Sequence, residues 1–205
     1  MSFLAFLIAA VVLAVTPGPG MAYVVARTVA GGRAEGLASC FGTALGGLLH
    51  VLAAALGLSL IVAQSAVLFS LVKYLGAAYL AYLGLRLLLR KESTFTVTPV
   101  SAQGVRRALG EGIVVEALNV KTALFFLAFL PQFVSPGEAV IPQLALLGTI
   151  CVLLNTCVDV IAVFGTGRLL KSGAARAARA RLLTRVSGIT MLGLGAFLAL
   201  ARREA

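Results

Sequence analysis

Three polar clusters interrupt an otherwise apolar chain, and their residue types could bind or carry charge. The first is Thr16-Pro17-Gly18-Pro19-Gly20. Two prolines and two glycines in five residues cannot continue an α-helix: Pro lacks the backbone donor and clashes with the preceding turn, and Gly loosens the chain. A single proline often makes a mere kink. This denser break is the type that holds a solute, because a half-helix N-terminus turns its positive dipole end toward anions.

The second cluster is Glu116-Ala117-Leu118-Asn119-Val120-Lys121. Glu116 and Asn119, three apart, share a helix face, and Lys121 lies about 140° around from Glu116, toward another neighbour. Asn119 and Lys121 sit deep enough in an apolar run to suggest function, whereas Glu116 reads equally well as a solvated helix end. The third cluster pairs Asn155 with Asp159, four apart, with Thr156 beside them. An aspartate there must pair, be protonated or line water.

His50, the one histidine, falls in a stripe of small residues formed by Gly42, Gly46, Ala54 and Gly57. Such stripes let membrane helices pack closely, so His50 should face protein. An imidazole titrates near physiological pH; proton carrier and hydrogen-bonded packing residue are both open. Lys73 has a stem long enough to snorkel outward.

The elements that must position these residues follow from composition. Of 205 residues, 60% are hydrophobic and 12% charged, with mean hydropathy +1.06; soluble domains carry about 25% charged residues. A water-soluble fold could not hide so much apolar surface. Apolar runs occur at about 3–25, 37–63, 66–85, 112–134, 141–164 and 184–201, each near the ~20 residues a transmembrane helix needs. The expected fold is an all-α membrane protein of six transmembrane helices in one polytopic domain, 1–205. Its first helix is broken, and the fourth is a second candidate for a break. The N-terminus lacks the basic region of a cleavable signal peptide, so the first run reads as a retained span. Cys40, Cys151 and Cys157 form no Cys-x-x-Cys pair and read as small hydrophobes.

Basic residues set the expected orientation. The first, third (about 86–111) and fifth connections hold 13 of the 17 Lys and Arg, including six between Arg168 and Arg185. By the positive-inside rule these odd-numbered loops are cytoplasmic and both termini face outward, in a bacterial inner membrane. The same loops account for the net charge of +10: they rest on anionic lipid headgroups and do not call for nucleic acid.

The halves echo each other. Leu48-Leu49-His50 resembles Leu153-Leu154-Asn155, and Lys73-Tyr74-Leu75-Gly76 resembles Arg185-Val186-Ser187-Gly188. Three spans per repeat (about 1–90 and 112–205) make the second copy inverted, with a solute site at the interface.

Together these residues resemble the LysE/RhtB family of amino-acid exporters, over nearly the whole chain. The likeness is carried by Thr16-Pro17-Gly18-Pro19, by Gly42-Thr43 through Gly46 and His50, and by Lys73 through Leu80. Asn119 through Phe126, Leu130-Pro131-Gln132-Phe133 and the acid at Asp159 complete it. One departure is Val120, where the family's Asn-Pro-Lys has proline; the fourth-span break should be softer, or shifted toward Leu118-Asn119.

The resemblance implies export of amino acids or similar small zwitterions in exchange for protons. On that basis a substrate carboxylate would meet backbone donors near Gly18–Gly20 and Lys121. Its ammonium would meet Asp159 or Glu116, with Asn119 and Asn155 orienting it. Protonation of Asp159, Glu116 or His50 would couple the gradient. No catalytic constellation is present and no cofactor is required. The rival is a metal-ion or other small-cation exporter using His50, Glu116 and Asp159. The glycine stripes could pack within or between subunits, so a homodimer is also compatible.

Overall fold

The computed structural model describes residues 3–64, 66–89, 101–135 and 137–169, with ten positions between 185 and 200. Helices are α1 (Phe3–Val15), α2 (Pro19–Gln64), α3 (Ala66–Leu89), α4 (Val105–Ala117), α5 (Val120–Phe129) and α6 (Val140–Leu169), with a 3-10 turn at Leu130–Phe133. The described positions from 185 to 200 are helical too. Most of the polar third connection (90–100) and of the basic fifth loop (170–184) lies outside the described residues.

α1 is a charge-free apolar run that stops at Thr16-Pro17-Gly18. Pro17 disfavours helical geometry at the residue before it, and Thr16 folds its hydroxyl back onto the Val12 carbonyl at 2.7 Å. α2 restarts with Pro19 in its first position, where a missing amide hydrogen costs nothing.

α2 is not straight. Gly32 has φ of 73° and ψ of −168°, which only glycine adopts readily. A methyl group placed on Gly20 would lie 3.7 Å from Thr43 Cγ2, whereas 23 residues of straight helix would separate them by about 34 Å. α2 is therefore a hairpin, with Gly31-Gly32 at its tip and arms of 19–31 and 33–64. Among the described residues, Pro19–Gly57, which includes the turn at Gly32, and Val140–Thr166 are long and apolar enough to cross a membrane; Val105–Ala117 with Val120–Phe133, bent by 46°, makes a third when taken as one span.

The loop expected over 86–111 is shorter. α3 runs to Leu89 and α4 begins at Val105, because Gly104 (φ 87°) turns the chain and Arg107 pairs with Glu111 at 2.9 Å across one helical turn. Arg107 and Glu111 fall inside the expected loop, yet at that spacing they support a helix.

α2 packs most extensively on α4 and α6, α1 packs on α6, and α3 packs on α5. The core joins Phe6 and Leu13 of α1, Val51 and Ala54 of α2, Phe125, Phe126 and Phe129 of α5, and Leu144 and Cys151 of α6. Phe125 and Phe129 stack at 4.7 Å, and Phe6 meets Phe133 edge-on at 5.6 Å. In lipid such contacts hold by close packing rather than by escape from water. A smaller cluster joins Val24 and Cys40, from the two arms of α2, to Val163 of α6.

The glycine stripe divides. Gly42 and Gly46 lie against the backbone of α4 at Leu109, Gly112 and Ile113, whereas among the described residues Gly57 meets nothing within 4 Å. Lys73 does not snorkel clear of the protein: it is buried, with Nζ 4.5 Å from the centre of the Tyr74 ring.

Candidate functional site

Both broken helices meet at one small cavity of about 30 Å³, enough space for water. Its polar lining is Thr16, Thr43, Glu116, Asn119, Lys121, Thr122, Asn155, Thr156 and Asp159, with Gly18 and Gly20 at the first break. Nearly every sequence-level candidate is here; His50 is not among the lining residues.

The second break is built by Asn119. Its side chain accepts from the Lys121 amide at 3.1 Å, the usual N-cap bond that satisfies a first-turn donor. Val120 follows as the first residue of α5, the one helical position where proline would fit without loss. The break thus lies at Leu118-Asn119 and survives without proline, because the cap does the work. The chain's departure at Val120 leaves the geometry intact.

Glu116 spans this break. Oε1 accepts from Thr122 Oγ1 at 2.6 Å and Oε2 from Asn119 Nδ2 at 3.0 Å, so α4 and α5 are tied by one carboxylate. Because α4 starts at Val105, Glu116 lies in its last turn and is buried; it is not a solvated end. Its carbonyl oxygen accepts from the Asn119 amide at 2.9 Å and lies 2.8 Å from His50 Nε2. A carbonyl only accepts, so Nε2 carries the proton in that contact. His50 here pins the hinge from outside the cavity.

Lys121 reaches back to α1, donating to the carbonyls of Thr16 at 2.9 Å and Leu13 at 3.3 Å. Its stem crosses Gly18 so closely that a methyl group there would sit 2.9 Å from Nζ. A methyl on Gly20 would sit 2.5 Å from Glu116 Oε2. The cation of α5 therefore rests on the carbonyl end of α1, and the anion of α4 on the first turn of α2. Each opposes the dipole of its half-helix, an effect of up to ~2 kcal/mol where partly buried. The places the sequence had suggested for a substrate carboxylate are taken, in this conformation, by the chain's own side chains.

α6 supplies the other wall. Asn155 donates to Cys151 O at 3.1 Å, which leaves its amide oxygen and second N–H for the cavity. Asp159 is 7% exposed. Among the described residues its one side-chain hydrogen bond is a long 3.4 Å contact from Thr43 Oγ1. That hydroxyl lies closer to Cys40 O, at 3.0 Å, and has a single proton to give. Glu116 is fully engaged; Asp159 is not.

The sequence reading passed over Thr43 and Thr122 as site residues. Thr43 stands beside the glycine stripe and Thr122 just beyond Asn-Val-Lys, so position relative to those motifs was the available signal. Among the described residues, no three His, Cys, Asp or Glu side chains group as candidate metal ligands.

A second buried polar cluster lies at the tip of α2. Arg27 is 2% exposed and its guanidinium lies 3.8 Å from Glu35. Glu35 Oε1 accepts from the amides of Gln103 and Gly104 at 2.8 and 2.7 Å. Arg27 belongs to the first connection, expected as a cytoplasmic loop; the hairpin at Gly32 buries it against Glu35 instead.

A buried polar cavity at the crossing of two interrupted helices, inside an apolar helical chain, is the layout of a membrane carrier. Residues 11–202 match the LysE type translocator family, and the chain belongs to that family. It is a membrane transporter, not an enzyme. It is 30% identical over 204 residues to the "Uncharacterized membrane protein" of Vibrio cholerae, covering 98% of this chain and 97% of that one. It is 27% identical over 201 residues to the homoserine/homoserine lactone efflux protein of Salmonella typhi, covering 97% and 96%. A leucine efflux protein of Salmonella choleraesuis is 30% identical over 140 residues, 65% of this chain and 64% of its own. No solved structure matches.

Proposed function

We propose that the chain exports an amino acid or similar small zwitterion from the bacterial cytoplasm in exchange for protons. Six spans would form two inverted three-helix repeats, with the basic odd-numbered loops inside and both termini outside. The support for the repeat is the matched pair of breaks, Thr16–Gly18 and Leu118-Asn119, facing one cavity. The efflux relatives favour small amino-acid-like solutes, and leucine and homoserine are the first to try.

The observation that carries the mechanism is Asp159, buried and facing the cavity with one long hydrogen bond. A carboxylate in that state is expensive unless it gains a proton or a cation. A substrate ammonium and a proton would compete for it, and mutually exclusive occupancy of one group is what antiport requires. Asn155 and Lys121 would hold the substrate carboxylate, and Asn119 would orient the Glu116 and Lys121 pair. Opening the cavity for a whole amino acid would mean shifting Lys121 off α1 or Glu116 off α2, so solute binding and movement of the half-helices would be one event.

The test is efflux of labelled amino acids from vesicles under an imposed pH gradient. Asp159→Asn should abolish gradient-driven efflux while leaving expression unchanged. Gradient-driven efflux that survives Asp159→Asn removes it as the carrier.

A further inference from the structure

The transport reading makes no use of Arg27, Glu35 or the chain that crosses them. We propose that these two residues and residues 101–104 form a latch that closes one mouth of the cavity and parts during turnover. The inference rests on that cavity being the solute path.

Three helical segments run from the cavity to the latch. On the first arm of α2, Gly20 lines the cavity and Arg27 lies seven residues on, about 10 Å. On the second arm, Thr43 lines the cavity and Glu35 lies eight residues back, about 12 Å. On α4, Glu116 marks the cavity and Gly104 the far end, about 18 Å away. Between the two levels sits a plug of Val24, Cys40 and Val163, each buried to 1% exposure or less. Tyr23 adds a bond across the plug level, donating to Ala108 O at 2.9 Å. The cavity is thus sealed on this side by an apolar layer with an ionic layer beyond it.

The latch is held at several points. Glu35 takes both amides that open α4, and Arg27 donates to Ser101 O at 3.3 Å. Residues 101–104 are largely exposed while the pair beneath them is buried. Among the described residues, Arg27 Nε, Glu35 Oε2 and Gln103 Oε1 are buried with no hydrogen-bond partner. Charged groups buried in this way hold strongly to one another, and they regain full hydration when the contact parts. Glycines with positive φ, Gly32 and Gly104, stand on either side as joints. Since Glu35 grips one end of α4 and Glu116 lies at the other, release at the latch would move the cavity wall.

Cys40, in the plug, is a built-in reporter. With Cys151 and Cys157 replaced by Ala, a membrane-impermeant methanethiosulfonate reagent is applied from either face of vesicles holding the full chain. Glu35→Ala should speed Cys40 labelling at least about tenfold from the face bearing residues 101–104, and not from the other, the change expected from losing charge-assisted hydrogen bonds. Should Glu35→Ala fail to elute as a single species, Glu35→Gln, which keeps an acceptor for the two amides but not the charge, should give a smaller rise from the same face. Unchanged labelling in a well-folded variant, or an equal rise from both faces, overturns the latch. The readout needs no solute, so it stands or falls separately from the choice of substrate.

Discussion

Replacing Lys121 with Met should lower the initial rate of efflux about 100-fold or more, the loss of two charge-assisted hydrogen bonds at ~1.5–3 kcal/mol each. The carbonyls of Leu13 and Thr16 lose their donor, and Glu116 and Asp159 are left in one cavity without a cation. Lys121→Arg should not rescue. Gly18 leaves no spare room beside Nζ, and a planar guanidinium is wider than an ammonium on a flexible stem. The check is efflux rate normalised to membrane-inserted protein. Near-normal rates for Lys121→Met would show that the contact with α1 is dispensable.

A large loss of stability is expected from Gly46→Ala. An added methyl group would stand 2.6 Å from Ile113 O, 2.8 Å from Glu116 Cβ and 3.0 Å from Ala117 N. Two of these are backbone atoms of α4, so no side chain can swing away, and the helices must separate. Overpacking costs ~1–3 kcal/mol even where side chains can yield. A fall in Tm of about 5–10 °C in detergent follows for a chain of this size. Gly110→Ala is the control. It lies in α4 with nothing within 4 Å among the described residues, and removing a helix-interior glycine should be neutral or stabilising by up to ~1 kcal/mol. Equal Tm changes in the two would remove the α2–α4 glycine seam from the account.

The break at residues 16–20 was visible in sequence because proline and glycine act through backbone covalent structure, whatever surrounds them. The second break was harder. Without its proline, Leu118-Asn119 shows only a capping residue before an apolar run, and the decisive hydrogen bond, Asn119 to the Lys121 amide, is local. Face-sharing of Glu116 and Asn119 was argued from a continuous helix. The helix is not continuous, and the two residues meet because it ends between them. Asn155 and Asp159, on the unbroken α6, fell where simple periodicity placed them.

The α2 hairpin tip was the least visible feature. Arg27, Arg33 and Glu35 beside Gly31-Gly32 look like an ordinary solvated turn, and only three-dimensional closure by residues 101–104 buries Arg27 and Glu35 while leaving Arg33 exposed. Spacing alone could have hinted at it, since residues eight apart across a glycine turn face each other when the arms fold back. Nothing in the sequence indicated that residues 101–104, from a polar stretch, would supply the other half. Long-range partners of a buried charge are not encoded by its neighbours in the chain.

Transport by this site requires the solute to enter the cavity between the two breaks. Thr156 lines that cavity and donates its hydroxyl to its own helix at Val152 O, 2.8 Å away. With the native cysteines replaced by Ala, Thr156→Cys should react with a small thiol reagent, and saturating exported amino acid should slow that reaction at least about fivefold by occupancy of the site. A reaction rate unmoved by a solute that the same vesicles export would place the path elsewhere.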